Sequence, residues 1–154
     1  MADPASAPPR PRSVDVAIWL LIVGAVLLLV GGLLAATLSF DTVRQMVGPS
    51  ISDDAVRRTL TVHRGAGVFC VLAGVVLAFF TGKTRGARDP RFRRATVALG
   101  LAVVVLVSLA AVFAGTHPLA LLGLLPTIIG AALLSRPAAA QWYSVTATGG
   151  AGDG

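Results

Sequence analysis

Two histidines, a single cysteine and a pair of adjacent aspartates are the residues whose types could carry chemistry in this 154-residue chain. His63 precedes one apolar run, and His117 lies in the short turn "GTHP" between two others. Two imidazoles from different helices, at one end of a small bundle, are the ligand set of a haem or part of a metal site. Zinc needs a third or fourth ligand, and the spacing of Asp53 and Asp54 does not bring them to the histidines. The plain alternative is that both histidines are interfacial, with His117 capping the helix that begins at Pro118. Cys70, inside an apolar run, has no second cysteine to pair with and reads as a small buried hydrophobe. The sequence holds no GxSxG, HExxH, CxxC, phosphate-loop or dinucleotide-loop pattern. The expectation is therefore a protein that is not an enzyme, with no catalytic residue, no cofactor and no metal.

The elements that must position these residues are apolar. Apolar residues make up 55% of the chain and charged residues 13%, and the mean hydropathy is +0.82, which leaves too little polar surface for a water-soluble globule. Four runs predict four transmembrane helices, spans of about 16–38, 65–81, 95–114 and 118–134, in an all-α up-down bundle with disordered termini. The first run is roughly 34 Å of helix at 1.5 Å per residue, too long for a cleavable signal peptide and long enough for an uncleaved anchor. The second is roughly 25 Å, slightly short for a bilayer, with His63, Arg64 and Lys83 placed to snorkel and a helix beginning at Asp53 placed to feed into it. Pro126 predicts a kink in the fourth.

Between the spans, residues 39–64 form an outer loop. In it Phe40, Val43 and Val47 are spaced as one side of a short helix ended by Gly48 and Pro49, and Asp53–Arg57 and Asp54–Arg58 are spaced as i,i+4 pairs. The proline-rich residues 1–13 and the glycine-rich C-terminus lack the apolar residues to order themselves, and residues 137–154 read as a short tail in which Trp142 and Tyr143 form an interfacial anchor.

None of the four runs contains Asp, Glu, Lys, Arg or His. Ionisable groups within the bilayer cost several kcal/mol and mark proton relays and ion paths. Four-span drug exporters depend on a carboxylate within their first span, whereas Asp15 stands at the edge of this one. A small transporter or efflux subunit acting as an oligomer is the alternative function, and a haem- or metal-binding membrane protein through His63 and His117 is a second. What the runs do contain is small residues at helical spacing. Gly24 and Gly31, Gly67 and Gly74, and Gly123, Thr127 and Ala131 mark faces on which helices approach closely.

The remaining signal is charge. Six of the thirteen basic residues, Lys83, Arg85, Arg88, Arg91, Arg93 and Arg94, fall in the segment 82–94 between the second and third spans. They set topology or meet anionic lipid. Together with Arg10, Arg12 and Arg136 they place nine basic residues on one side of the bilayer, against Arg44, Arg57, Arg58 and Arg64 on the other. The positive-inside rule makes segment 82–94 a cytoplasmic loop and both termini cytoplasmic. The net charge of +6 comes without interleaved aromatics or a reader motif, so nucleic acid is not the expected partner.

The order of parts resembles a group of small actinobacterial four-span integral membrane proteins. The resemblance rests on "SVDVAIWLL" entering the first span, "SISDDAVRR" in the outer loop, "TRGARDPRFRRATVALGL" entering the third span and "LLSRPAAAQWYSV" closing the fourth. It departs in the basic loop, which reads "GARDPRFRR" where relatives carry a "GRxWAR"-like turn. It implies a bacterial plasma-membrane location and carries over no catalytic residues. The expected role is a structural or regulatory interaction subunit of the cell envelope, with the lipid bilayer and either further copies of itself or a larger membrane-protein complex as partners.

Overall fold

The computed structural model of the chain describes residues 10–86, 89–115 and 117–148, and of residues 144–148 the backbone alone. Among the described residues seven helices follow in order: α1 Arg12–Ala36, α2 Phe40–Met46, α3 Asp53–Gly86, α4 Pro90–Ala114, α5 Pro118–Leu122, α6 Leu124–Ser135 and α7 Pro137–Thr148. No strand occurs among the described residues. Four helical units, α1, α3, α4 and α5 with α6, are long and apolar enough to cross a membrane. They close a ring in which α1 packs on α3, α3 on α4, α4 on α6, and α5 with α6 back on α1.

The local chemistry accounts for the boundaries. α1 ends where Thr37 turns its N–H and hydroxyl back onto the Leu33 carbonyl, at 3.0 and 2.8 Å. Arg64 of α3 then donates through Nε, at 3.0 Å, and through a terminal nitrogen to the Leu38 carbonyl. A cation is favoured where helix carbonyls are left over. α2 begins at Ser39, whose hydroxyl accepts from the Thr42 N–H at 3.2 Å. α4 begins at Asp89, whose carboxylate accepts from Arg91 N–H at 2.8 Å, with Pro90 as its first residue. Gly115, at φ +68°, ends α4 in a backbone region that side chains disfavour.

Several expectations are corrected. The helix that begins at Asp53 does feed into the second span, which is therefore longer than residues 65–81: α3 runs without interruption from Asp53 to Gly86, roughly 51 Å of helix. A helix of that length exceeds the roughly 30 Å hydrocarbon core of a bilayer. Segment 82–94 is not a loop throughout, for Lys83 and Arg85 complete α3 and Arg91, Arg93 and Arg94 open α4. Arg88 lies outside the described residues, as do most of the N-terminal tail and the last six residues, on which the expectation of disordered termini falls.

Residues 137–148 form α7 rather than a structureless tail. Arg136 is extended (ψ 146°), as a residue before proline is pushed to be, and the chain folds back so that α7 lies on α4 and α6. Trp142 and Tyr143 are consequently packed inside the protein instead of facing an interface. Asp53 pairs with Arg44 of α2 at 3.2 Å, and the Arg57 guanidinium lies 5.0 Å from the centre of the Phe40 ring, in place of a pairing along the helix.

At Pro126 the helical ladder is interrupted one turn earlier, between α5 and α6 at Gly123, whose backbone stays in the right-handed helical region at φ −65° and ψ −21°. Proline supplies no N–H for the carbonyl four residues before it, so the ladder fails there while Thr127 N–H still reaches the Gly123 carbonyl at 3.3 Å.

Candidate functional site

Three places in the bundle gather the residues singled out by sequence: the histidine end, the glycine-lined flanks of α1, and the basic end.

At the first, His63 Nδ1 is 3.4 Å from the Ala114 carbonyl, beside the turn that follows α4. His117 Nδ1 accepts the Leu119 N–H at 3.3 Å and so caps α5. Each ring is thus engaged with backbone. Among the described residues no group of three or more His, Cys, Asp or Glu side chains is placed to hold a metal ion. Cys70 is fully buried in the apolar core with Leu21, Leu28 and Leu77.

Around α1 the small residues bring backbones together. A Cβ placed on Gly67 would stand 2.6 Å from both the Ala36 nitrogen and the Gly32 carbonyl oxygen, and one on Gly74 would stand 2.9 Å from the Ala25 carbonyl oxygen. On the other flank, a Cβ on Gly31 would meet the Ala120 nitrogen at 2.5 Å, and one on Gly123 the Gly24 carbonyl oxygen at 3.0 Å. Gly24 itself faces the Thr127 hydroxyl, which donates to the Gly123 carbonyl at 2.7 Å. Ala131, further along α6, faces Gly100 of α4, where a Cβ would stand 3.6 Å away. Gly24, Gly31, Gly67, Gly74, Gly123 and Thr127 are therefore occupied by contacts between the chain's own helices.

At the basic end a polar cluster lies under α7. Thr84 of α3 and Thr96 of α4 share a hydrogen bond of 2.6 Å between their hydroxyls. Each is also close to a carbonyl of its own helix, Thr84 to Phe80 at 2.8 Å and Thr96 to Phe92 at 2.9 Å. The Tyr143 hydroxyl donates to the Thr84 carbonyl at 3.1 Å, and its ring meets Trp142 edge-on at 4.8 Å. Burial pushes the Tyr143 phenol above its ordinary value, opposed by its hydrogen bond to Arg10 and by the charges of Arg10 and Arg93.

The cations of this end are held in different ways. Arg93 donates to the Leu134 carbonyl near the end of α6 at 2.7 Å. Arg10 pairs with Asp15 at 3.2 Å, donates to the Arg85 carbonyl at 3.4 Å and lies 5.3 Å from the Trp142 ring centre. Arg85 stacks over Trp19 and Lys83 over Phe79, at 5.6 and 5.7 Å. The Nε atoms of Arg10 and Arg93 are buried without a hydrogen-bond partner among the described residues.

Sequence reasoning did not single out Thr84, Thr96, Tyr143 or Arg10 as members of one cluster. The one available signal was the presence of two threonines flanking a basic turn, which does not distinguish a shared interior from two solvated helix ends. Chemically the cluster is a clasp: its hydroxyls are committed to carbonyls and to each other, and it joins α3, α4 and α7. No family model matches the chain, and neither a curated protein nor a solved structure matches it.

Proposed function

We propose that this chain is a multi-pass protein of a bacterial plasma membrane, with both termini cytoplasmic, that serves as a structural or regulatory interaction subunit. It would assemble with further copies of itself or with a larger membrane-protein complex. The observation that carries the reading is the unequal cover of the spans. The central window of α1 is 44% buried within the chain, and that of α4 is 17% buried. α4 presents Leu101, Val105, Leu109, Val112 and Phe113 outward, whereas the close-approach glycines of α1 and α3 already face neighbours within the chain. Contact with another membrane protein would thus fall on α4. An apolar face in lipid gains nothing from water exclusion, so such contact depends on side-chain packing.

The test is cysteine cross-linking in native membranes, in a Cys70→Ala background so that one thiol remains. Val105→Cys on α4 is expected to cross-link to a copy or to a neighbouring protein, and Leu72→Cys, exposed on α3, is not. No cross-link from Val105→Cys, Leu109→Cys or Val112→Cys would overturn the reading. Asp15→Asn is expected to change no phenotype; loss of a proton-coupled efflux phenotype would put transport first.

A further inference from the structure

Where α4 passes the end of α6 there is a groove of about 340 Å³ lined by Arg93, Arg94, Val97, Ala98, Leu101 and Ser135. Its α4 residues recur at intervals of four, 93–97–101 and 94–98, and so form one stripe along the helix. The two arginines stand at one end and the apolar side chains follow over roughly 6 Å of helix. No acidic side chain lines it. The Ser135 hydroxyl donates to the Ala131 carbonyl at 2.8 Å and retains acceptor capacity. Arg93 spends one terminal nitrogen on the Leu134 carbonyl, and its buried Nε has no acceptor among the described residues. The Arg93 side chain is half-buried and lines the groove beside the exposed Arg94.

We propose that this groove binds an anionic phospholipid, its phosphodiester held by Arg93 and Arg94 and one acyl chain lying along Val97, Ala98 and Leu101. Charge and shape select the occupant together. Two cations at the helix end match a phosphate, and arginine forms paired hydrogen bonds to phosphate oxygens. The apolar floor has no use for a free ion but suits an acyl chain that enters the bilayer beside span α4. The site rests on the membrane placement of the helices and not on the interaction role, so either can fail alone.

The full chain, purified in a neutral detergent, is titrated with dioleoyl phosphatidylglycerol or dioleoyl phosphatidylcholine, and bound lipid is counted by native mass spectrometry. Phosphatidylglycerol is expected to bind more tightly. Arg94→Gln should weaken it about fivefold, the equivalent of about 1 kcal/mol for one basic residue near a charged surface. Arg91→Gln, which removes the same charge from an exposed residue outside the groove, should change it less than about twofold. Ala98→Trp, which fills the exposed apolar floor, should weaken both lipids. Millimolar inorganic phosphate should displace neither.

Equal binding of the two lipids, or equal losses in Arg94→Gln and Arg91→Gln, would overturn the site in favour of general surface attraction. Unchanged binding in Ala98→Trp, or displacement by phosphate, would overturn the lipid in favour of a simple anion. Should Ala98→Trp fail to fold, as judged by circular dichroism, the two arginine variants decide.

Discussion

Gly67 and Gly100 belong to two seams of the same bundle and differ in what they exclude. A methyl group on Gly67 would stand 2.6 Å from the backbone of α1, whereas at Gly100 the nearest atom, the Ala131 methyl, would be 3.6 Å away. The first distance is impossible without moving a helix; the second is ordinary contact. α1 is therefore held by backbones that touch, and its neighbours are fixed by the absence of side chains. α4 is held by ordinary side-chain packing through its length and by the threonine–tyrosine clasp at one end. The fold thus has a rigid half, where α1 meets α3 and α6, and a half in which α4 depends on a polar fastening.

The largest expected effect breaks the rigid half. Gly67→Ala should cost about 2 to 3 kcal/mol by overpacking, because both close atoms are backbone and cannot swing aside. A fall in the unfolding midpoint in detergent would show it, and an unchanged midpoint would refute the close seam.

The next effect loosens the clasp. Tyr143→Phe should cost about 1 to 2 kcal/mol, because the hydroxyl is lost both to the Thr84 carbonyl and to Arg10. The clasp should also be pH-sensitive. The native phenol is raised above its ordinary value of 10.0, so the folded state holds its proton more tightly than the unfolded state does. Its contribution is then constant below about pH 10 and is lost as pH rises through the native value. Tyr143 is the single tyrosine of the chain, so absorbance of the phenolate reads this site alone. Alkaline titration should release α7, and Tyr143→Phe should flatten the pH dependence of stability above pH 10. A phenol that titrates at its ordinary value would contradict the buried geometry.

The smallest effects sharpen the contrast. Gly100→Ala should be stabilising by about 0.5 kcal/mol, the gain in helix propensity, since its methyl would make only ordinary contact with Ala131. Gly65→Ala, two residues from Gly67, should be stabilising by about 0.5 kcal/mol, since nothing lies within 4 Å of the added methyl. Opposite signs at positions 65 and 67 of one helix would separate packing from propensity.

Of the candidate sites, the glycine positions were visible in the sequence because small residues at helical spacing declare a close face, although which helix each face meets was not. Gly24 and Gly31 lie on one side of α1, against Gly123, Thr127 and Ala120, while Gly32, one residue on, meets Gly67 on the other. Gly31 and Gly32 stand about 100° apart on the helix, and only their placement in the ring assigns each to its neighbour. The basic residues were equally visible as a charge run. That Arg93 would cap α6 while Arg85 stacks on Trp19 depends on helices 41 and 66 residues away in sequence, and no local pattern encodes it.

The sequence by itself determined that the chain is helical, that four stretches are long and apolar enough to cross a membrane, and where caps and prolines end several helices. These are properties of hydrocarbon transfer and of backbone hydrogen bonds, which act within a few residues. The tertiary structure alone decided that α7 folds back to bury Trp142 and Tyr143 and that Thr84, Thr96 and Tyr143 meet. Each of these outcomes depends on surfaces that exist only once other helices are in place, because a tyrosine at a helix end is interfacial until something packs over it.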